Sequence, residues 1–366
     1  MKILLLNNLF TPYERGGAER IVDLSAQEFR AAGHTVRIVC TYPKKARRPA
    51  EELAEVFYLP SNYYHLGEKN FVYRLFWQFG NLFNNAQKKR LEQIINQEKP
   101  DLVIAHNLMG LGGLTPGLIK KAGAKFILTL HDIQWLHPSG LLYWGQEKII
   151  KHPPAKIYQR LGQRLLKRGP EDMRVVAPSK WLLDLYQEQG FFKDQKCFVT
   201  PNPLVKSFTP TSERKKQFLF IGQAGHHKGL DLFIGAAEKF PDYNFVVIGE
   251  HKNTQATSNV KFLGRQTSAA VNLELAQSLA LIVPSRCYEN SPTVIYEAHQ
   301  TKTPVIAAAL GGIPELIERW GGLLFEPDNL ESLLATLNDF IKNGAPLQTA
   351  PPPPAYGEQI LNLVFS

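Results

Sequence analysis

Twice along its length this chain repeats one pattern: a short apolar run, a polar or glycine-bearing turn, then a helical stretch. In the first half the runs are KILLLNN, TVRIVCT, DLVIAHN, AKFILTLHD and RVVAPS; in the second they are QFLFIG, NFVVIGE, ALIVPS and TPVIAAA. Runs that are apolar at nearly every position belong to strands buried on both faces, which occur where helices cover both sides of a parallel sheet. The first helix reads from about Gly17 to Ala32. Its positions Ala18, Ile21, Val22, Ser25, Phe29 and Ala32 share one face, and Gly33 stands where a left-handed stop is expected. At 366 residues the chain exceeds what one core usually serves. The break falls in CFVTPNPL, where Pro201 and Pro203 fix an extended connector. The expected architecture is α/β, with two open parallel-sheet domains at 1–200 and 201–350 and a segment at 351–366 that packs back on one of them. In that segment PPPPA is a stiff spacer and AYGEQILNLVF is helix-compatible.

Composition narrows the setting. No apolar run approaches the roughly 18–20 residues that span a bilayer, and the opening MKILLLNNLF is interrupted by Asn7 and Asn8 too early for a signal peptide, so it reads as a buried first strand. Cys40, Cys197 and Cys287 have no C-x-x-C spacing, which points to a reduced, cytoplasmic location. Charge is uneven: residues 1–170 hold 25 Lys and Arg against 13 Asp and Glu, a net of +12, whereas 171–366 hold 17 against 20, a net of −3. A basic first half suits a solvated face, an anionic acceptor or an anionic membrane surface, and no nucleic-acid partner is expected. Within it, Tyr64 to Arg90 mixes aromatic and basic residues. Phe71, Leu75, Gln78, Phe79 and Leu82 lie close to one helical face, widened by Phe76, Trp77 and Phe83 and flanked by Lys88, Lys89 and Arg90. This is either an interfacial helix or a helix packed in the first domain's core.

In open parallel sheets ligands bind beyond the carboxyl ends of the strands. Four such turns carry candidate chemistry. In FIGQAGHHKGLDLF a strand ends at Gly222, and Lys228-Gly229 place an ammonium and a permissive backbone before a helix. In PSRCYENSPTVIYEAHQ, Glu289 and Glu297 stand with seven residues between them; Ser291 suits the N-cap and Pro292 the first helical position. The free N–H groups of that helix start would bind a diphosphate, Glu297 could accept hydrogen bonds from ribose hydroxyls, and Glu289 could reach a sugar. In ALGGIPELI, Gly311-Gly312 permit close backbone approach and Pro314 marks another helix start. In TPYERGGAER, Gly16-Gly17 follow the first strand without forming the G-x-G-x-x-G of dinucleotide enzymes, which disfavours a dehydrogenase. His131 closes the run FILTLHD, as a reaction-centre or a buried structural histidine. No D-x-D pair follows a strand, so no metal is expected.

In this order the segments resemble glycosyltransferase family 4. The resemblance runs through GGAER, GHTVRIV, TLHD, APS, TPNP, the glycine-to-Lys-Gly turn and the paired glutamates. It implies the GT-B fold, two Rossmann-like domains facing across a cleft, and a retaining glycosyltransferase that moves a sugar from a nucleotide-diphosphate donor in the second half to a saccharide or lipid-linked acceptor in the first. It further implies that Lys228 contacts the diphosphate, Glu297 the ribose and Glu289 the donor sugar, while Asn290, Ser291, Pro292 and Thr293 present backbone to phosphate. Gly16 and Gly17 would approach the donor phosphate or the acceptor, His131 the reacting sugar, and Gly264 and Arg265 the base. No cofactor is implied beyond the nucleotide sugar itself. The setting would be envelope or exopolysaccharide synthesis, cytoplasmic or peripheral on the membrane's inner face. One position departs from the family: the arginine usual after the glycine is here Gln223, leaving Arg286 or Arg265 to supply the second cation. That departure motivates the alternative of a catalytically silent nucleotide-sugar-binding protein; an epimerase or phosphorylase fits the paired glutamates poorly.

Overall fold

The computed structural model describes residues 1–13, 16–46, 55–203, 213–223, 225–250, 255–348 and 355–365. Two compact units divide the chain: Met1–Leu141, Lys148–Pro203 and Pro353–Ser366 form unit 1, and Leu142–Glu147 with Leu204–Pro352 form unit 2. The six residues from Leu142 to Glu147 thus leave the first half of the sequence to join the second unit. Glu14 and Arg15 of the first glycine turn, and the four prolines of PPPPA, lie outside the described residues.

Unit 1 holds a parallel seven-stranded sheet of β1 (Lys2–Leu6), β2 (Thr35–Pro43), β3 (Val56–Ser61), β4 (Leu102–Ala105), β5 (Lys125–Thr129), β6 (Arg174–Ala177) and β7 (Lys196–Val199), in the order β3-β2-β1-β4-β5-β6-β7. The helix Gly17–Ala31 crosses from β1 to β2 and buries Ile21, Val22, Ala26 and Phe29 on the sheet. Gly33 takes φ +82°, the left-handed stop that its sequence position predicts. The last helix, Tyr356–Phe365, belongs to this unit: Tyr356, Ile360 and Val364 enter the same core as Phe29 and Ile3. Its start is tied by Glu28, whose carboxylate accepts from the Gly357 N–H at 2.6 Å, and its end by Lys125, which donates to the Val364 carbonyl at 2.8 Å.

Unit 2 holds a parallel six-stranded sheet of β8 (Gln217–Ile221), β9 (Asn244–Ile248), β10 (Val260–Gly264), β11 (Ala280–Val283), β12 (Val305–Ala308) and β13 (Leu323–Phe325), in the order β10-β9-β8-β11-β12-β13. Its strands serve two cores at once. Phe218, Phe220, Phe245 and Val247 pack on one face, and their alternate neighbours Leu219, Val246 and Ile248 pack on the other. That double duty is why the sequence shows continuous apolar runs.

One expectation needs correction, and one choice left open by the sequence is decided for the core-packed face. The strands β3, β7, β10 and β13 are additional to the nine apolar runs, and Cys197 to Val199, expected to be connector, form a paired strand. The helix Phe71–Leu82 forms, but the face of Leu75, Gln78, Phe79 and Leu82 is turned inward: Leu82 is buried, Phe79 packs edge-on against Tyr158 and Gln78 donates to the Pro138 carbonyl. The Phe71 side chain lies outside the described residues. The opposite face, with Val72, Tyr73 and Phe76, is the exposed one, and Phe76 is 73% exposed.

Candidate functional site

Strand order reverses direction between β8 and β11 in unit 2, and between β1 and β4 in unit 1. At such a switch point the turns leave the sheet in opposite directions and open a crevice at the strands' carboxyl ends. In unit 2 the two turns flanking the switch are the ones that carry Lys228 and Glu289.

Lys228 ends a short 3-10 turn, His226–Lys228, and Gly229 follows at φ +69°. A side chain at Gly229 would place its Cβ 1.9 Å from the Pro284 carbonyl oxygen, so glycine is required for this turn to lie against the end of β11. The contact brings Lys228 Nζ to 2.6 Å from Glu289 Oε1, which also accepts from the Ser285 hydroxyl at 3.0 Å. Burial opposes the Lys228 charge, but the adjacent carboxylate outweighs it and raises the pKa. Burial likewise opposes the Glu289 charge, and the ammonium with the two hydrogen bonds outweighs it and lowers the pKa. Both groups therefore stay ionised. Cys287 nearby stays a neutral thiol, pushed up to about 12 by burial.

Glu289 is also fixed through its main chain. The Gly312 N–H donates to its carbonyl at 2.8 Å, and a Cβ on Gly311 would fall 2.2 Å from that same oxygen. The ALGGIPELI turn therefore locks the loop. On the other side, Tyr288 N donates to the Leu142 carbonyl at 2.8 Å and its hydroxyl to Glu147 Oε1 at 2.8 Å.

The helix after Glu289 runs Thr293–Gln300. Its N-cap is Pro292, one residue later than the Ser291 cap read from the sequence, and Thr293 is its first residue. The Ser291 hydroxyl pairs with the Tyr296 hydroxyl at 2.7 Å in a buried contact. Asn290 precedes this pair on the loop, half-buried. Glu297, on the second turn, is 5% exposed.

The other candidates of unit 2 end neighbouring strands. Gly222 follows β8 and donates to the Ile248 carbonyl at 3.0 Å; a Cβ on it would touch the Lys228 chain at 3.8 Å. Gln223 beside it is exposed. Gly264 closes β10 at φ +68° and accepts from the Gly249 N–H, two strands along the sheet from Lys228. Arg265 is exposed and makes no ion pair among the described residues. Arg286 is ion-paired to Asp231 and Asp328, and the hydrogen bonds it donates to the Asp231 carboxylate are the chief cause that raises its pKa further. As a stand-in for the missing arginine it is thus already neutralised.

In unit 1, Gly16 is the N-cap of the first helix and Gly17 its first residue; the Gly16 N–H is held by the buried Glu19 carboxylate at 3.0 Å. His131 follows β5, half-buried, with Nε2 2.8 Å from His106 Nδ1 at the end of β4 and the two rings stacked at 5.1 Å. Burial lowers the His131 pKa to about 4 and, with His131 beside it, lowers that of His106. Both rings are neutral near pH 7. Asp132 accepts from Gln134 N and Asn107 Nδ2, and burial raises its pKa to about 6. Sequence reasoning passed over His106, although it closes DLVIAHN as His131 closes FILTLHD. It also passed over Ser285, Tyr288 and Glu147, whose roles depend on contacts that no local spacing announces.

Comparison with known proteins agrees with this geometry. Residues 15–205 match the model of Glycosyltransferase Family 4, and residues 204–351 that of Glycosyl transferases group 1. The chain is 29% identical over 331 residues to an uncharacterized 42.6 kDa protein in the cps region of Klebsiella pneumoniae, covering 86% of this chain and 87% of that one. It is 22% identical over 370 residues to the putative teichuronic acid biosynthesis glycosyltransferase TuaC of Bacillus subtilis, covering 93% and 89%. Among solved structures, Anabaena Alr3699/HepE in complex with UDP and glucose superposes with a TM-score of 0.64 at 19% identity, covering 94% and 90%. Among the described residues no helix is long and apolar enough to cross a membrane. The two parallel sheets are those of the GT-B fold, and the chain belongs to glycosyltransferase family 4, the group 1 glycosyl transferases related to enzymes of cell-envelope polysaccharide synthesis.

Proposed function

We propose that the protein is a retaining glycosyltransferase whose unit 2 holds a nucleotide-diphosphate sugar and whose unit 1 supplies the saccharide or lipid-linked acceptor. The observation that carries this reading is the Lys228–Glu289 pair at the β8/β11 switch, followed directly by a helix N-terminus. A diphosphate is matched there by one ammonium and by the backbone from Asn290 to Thr293. Glu289 accepts from a donor-sugar hydroxyl, and the buried Glu297 accepts from ribose. Gly222 and Gln223 border the phosphates, Gly264 and Arg265 the base, and Gly16 and Gly17 the acceptor side. In the transfer, the bond from the sugar's anomeric carbon to phosphate breaks and the acceptor oxygen bonds to that carbon on the same face. The acceptor's proton passes to the departing phosphate, whose charge Lys228 and the helix start offset without a metal or other cofactor. His131, neutral, orients hydroxyls by hydrogen bonding.

The test is a thermal-shift panel of UDP, GDP, ADP and their sugar conjugates, with product analysis of the anomeric configuration. A nucleotide at ~100 times its dissociation constant adds about 2.7 kcal/mol of stability. One base is expected to stand out, with UDP first because HepE was crystallised with it. A panel with no shift, or an inverted product, refutes the reading.

A second element concerns location. The exposed Val72, Tyr73 and Phe76, with Phe83 beyond the helix end and Lys69 and Arg74 adjacent, form an apolar surface bordered by cations. We place this face against an anionic membrane on the cytoplasmic side, where each basic residue contributes about 1 kcal/mol. Pelleting with anionic liposomes at low salt, weakened at high salt and by Phe76→Ser, is the expected result; no lipid-dependent pelleting overturns it.

A further inference from the structure

The segment Leu142–Glu147 is built into unit 2 as an extra edge beside the Glu289 loop. Tyr143 bridges antiparallel to Cys287, Trp144 N donates to the Arg286 carbonyl at 2.9 Å, and Tyr288 N donates to the Leu142 carbonyl at 2.8 Å. A tight turn completes it: Gln146 N donates to the Tyr143 carbonyl, Gly145 takes φ +76°, and Glu147 Oε1 accepts from both the Gly145 N–H and the Tyr288 hydroxyl. This scaffold holds one large side chain in solvent. Trp144 is 46% exposed, its ring 6.2 Å from that of Tyr288 and tilted 47° to it.

These bonds fix the backbone from which the Trp144 indole projects, and leaving that apolar ring in water is unfavourable. It gains little for unit 2 itself, since Tyr288 is its only ring neighbour among the described residues. What it offers is a flat, polarisable face against Tyr288, the residue that precedes Glu289. Pyranose rings present the matching surface: axial C–H groups form an apolar patch, while the hydroxyls at the rim remain available to carboxylates. An aromatic face binds such a patch with little entropic cost because the indole is already ordered. We propose that Trp144, backed by Tyr288, is a pyranose-stacking subsite beside Glu289. This rests on the reading of Glu289 as a sugar-side carboxylate. The ring it binds is either the donor's glycosyl group or the first sugar of the acceptor, which share this chemistry.

Two titrations separate these sources, using the full chain and its Trp144→Ala and Trp144→Phe variants. In the first, whichever of UDP, GDP or ADP binds is compared by calorimetry with its glucosyl conjugate. In the second, protein saturated with that diphosphate is titrated with a panel of methyl glycosides, again by calorimetry. Trp144→Ala should weaken sugar-dependent binding about fivefold in one arm, Trp144→Phe should restore most of it, and diphosphate affinity should be unchanged. Loss in the first arm assigns the subsite to the donor sugar, and loss in the second to the acceptor. Equal behaviour of wild type and Trp144→Ala in both arms overturns the proposal. A wild type that binds no diphosphate removes the donor reading first, and the subsite with it.

Discussion

The carboxyl ends of the two sheets are chemically opposite. Beyond β8 and β11, Lys228 and Glu289 meet at 2.6 Å and each keeps the other charged. Beyond β4 and β5, His106 and His131 stack with a nitrogen-to-nitrogen contact of 2.8 Å, and burial keeps both uncharged. The strand topology is nearly the same, so the difference is written in the residues that follow the strands. It teaches that one repeated parallel-sheet scaffold carries two unlike electrostatic patterns; in the function proposed above, the fixed charges meet a diphosphate and the neutral imidazole pair meets hydroxyls.

The charged end should be the easier one to break. Lys228→Ala removes the cation from a carboxylate that is largely shielded from water, leaving Glu289 partly unsatisfied at a cost of about 1–3 kcal/mol in stability. Lys228→Ala with Glu289→Gln should recover most of that in urea melts. For binding, the single variant should lose about 100-fold in affinity for a nucleoside diphosphate and far less for the nucleoside, as expected for a charge-assisted contact. Equal losses for the two ligands would move the lysine away from the phosphates and erase the contrast.

The neutral end should reveal itself through pH. The His131 pKa in the folded protein, about 4, lies below the ordinary 6.5, so the folded state refuses a proton that the unfolded chain accepts. Stability present above pH 6.5 is therefore lost as pH falls toward 4, and His106 acts in the same direction. Asp132 opposes them. Its pKa, raised from 3.8 to about 6, favours the protonated folded form as pH falls through that range. With two groups against one the net is a loss on acidification, of which His131→Asn should remove about 2 kcal/mol. At neutral pH, His131→Ala should lower turnover while donor affinity holds. An identical pH dependence of stability for wild type and His131→Asn between pH 6.5 and 4 would show that His131 is not kept neutral by the fold.

How much of this was legible depended on burial. The nine interior strands announce themselves, because residues such as Phe218, Leu219 and Phe220 face two cores and must all be apolar. The strands not foreseen are the four at the sheet edges: β3, β7, β10 and β13. An edge strand needs less apolar surface, and KCFV and VKFLG carry exposed or half-buried residues that break the run. The site follows the same rule. Lys228 and Glu289 sit in turns whose glycines and prolines mark strand ends, and Glu297 lies in the helix that follows, so they could be read in place. His106 lay in an equivalent turn but became informative only beside His131. Glu147 and Trp144 come from another part of the chain and join the Glu289 loop through tertiary pairing, which leaves no periodic signal. The helix start falls one residue later than the sequence reading, at a Pro292 cap, and the Tyr296 partner of Ser291 is one that no local signal announces.

Glu297 tests whether the charged end extends beyond the phosphates. It is buried on the second turn of its helix, and Glu297→Ala should reduce nucleotide affinity about tenfold by removing a charged acceptor from ribose hydroxyls. Unlike Lys228→Ala, this loss should be shared by nucleoside and diphosphate. Calorimetry showing unchanged affinity in a folded variant would remove ribose from this position.

The smallest effect is expected where the sequence departs from its family. Gln223 is exposed directly after Gly222 and brings no charge, and Arg286 is held by Asp231 and Asp328. That leaves Arg265, two strands away at the end of β10, as the cation with no ion pair among the described residues. If the diphosphate is neutralised by Lys228 and the helix start alone, Gln223→Arg adds a second cation in water-exposed surroundings. Such a contact is worth about 0.2–1 kcal/mol, so affinity should rise about threefold at low salt. The gain should shrink as ionic strength shortens the Debye length below about 10 Å. Nucleoside affinity should not change. The companion variant Arg265→Ala decides the alternative: unchanged diphosphate affinity in Gln223→Arg together with a loss in Arg265→Ala would show that Arg265 already fills the role. The charge pattern of unit 2 would then be complete as it stands, drawn from a neighbouring strand instead of the turn that usually supplies it.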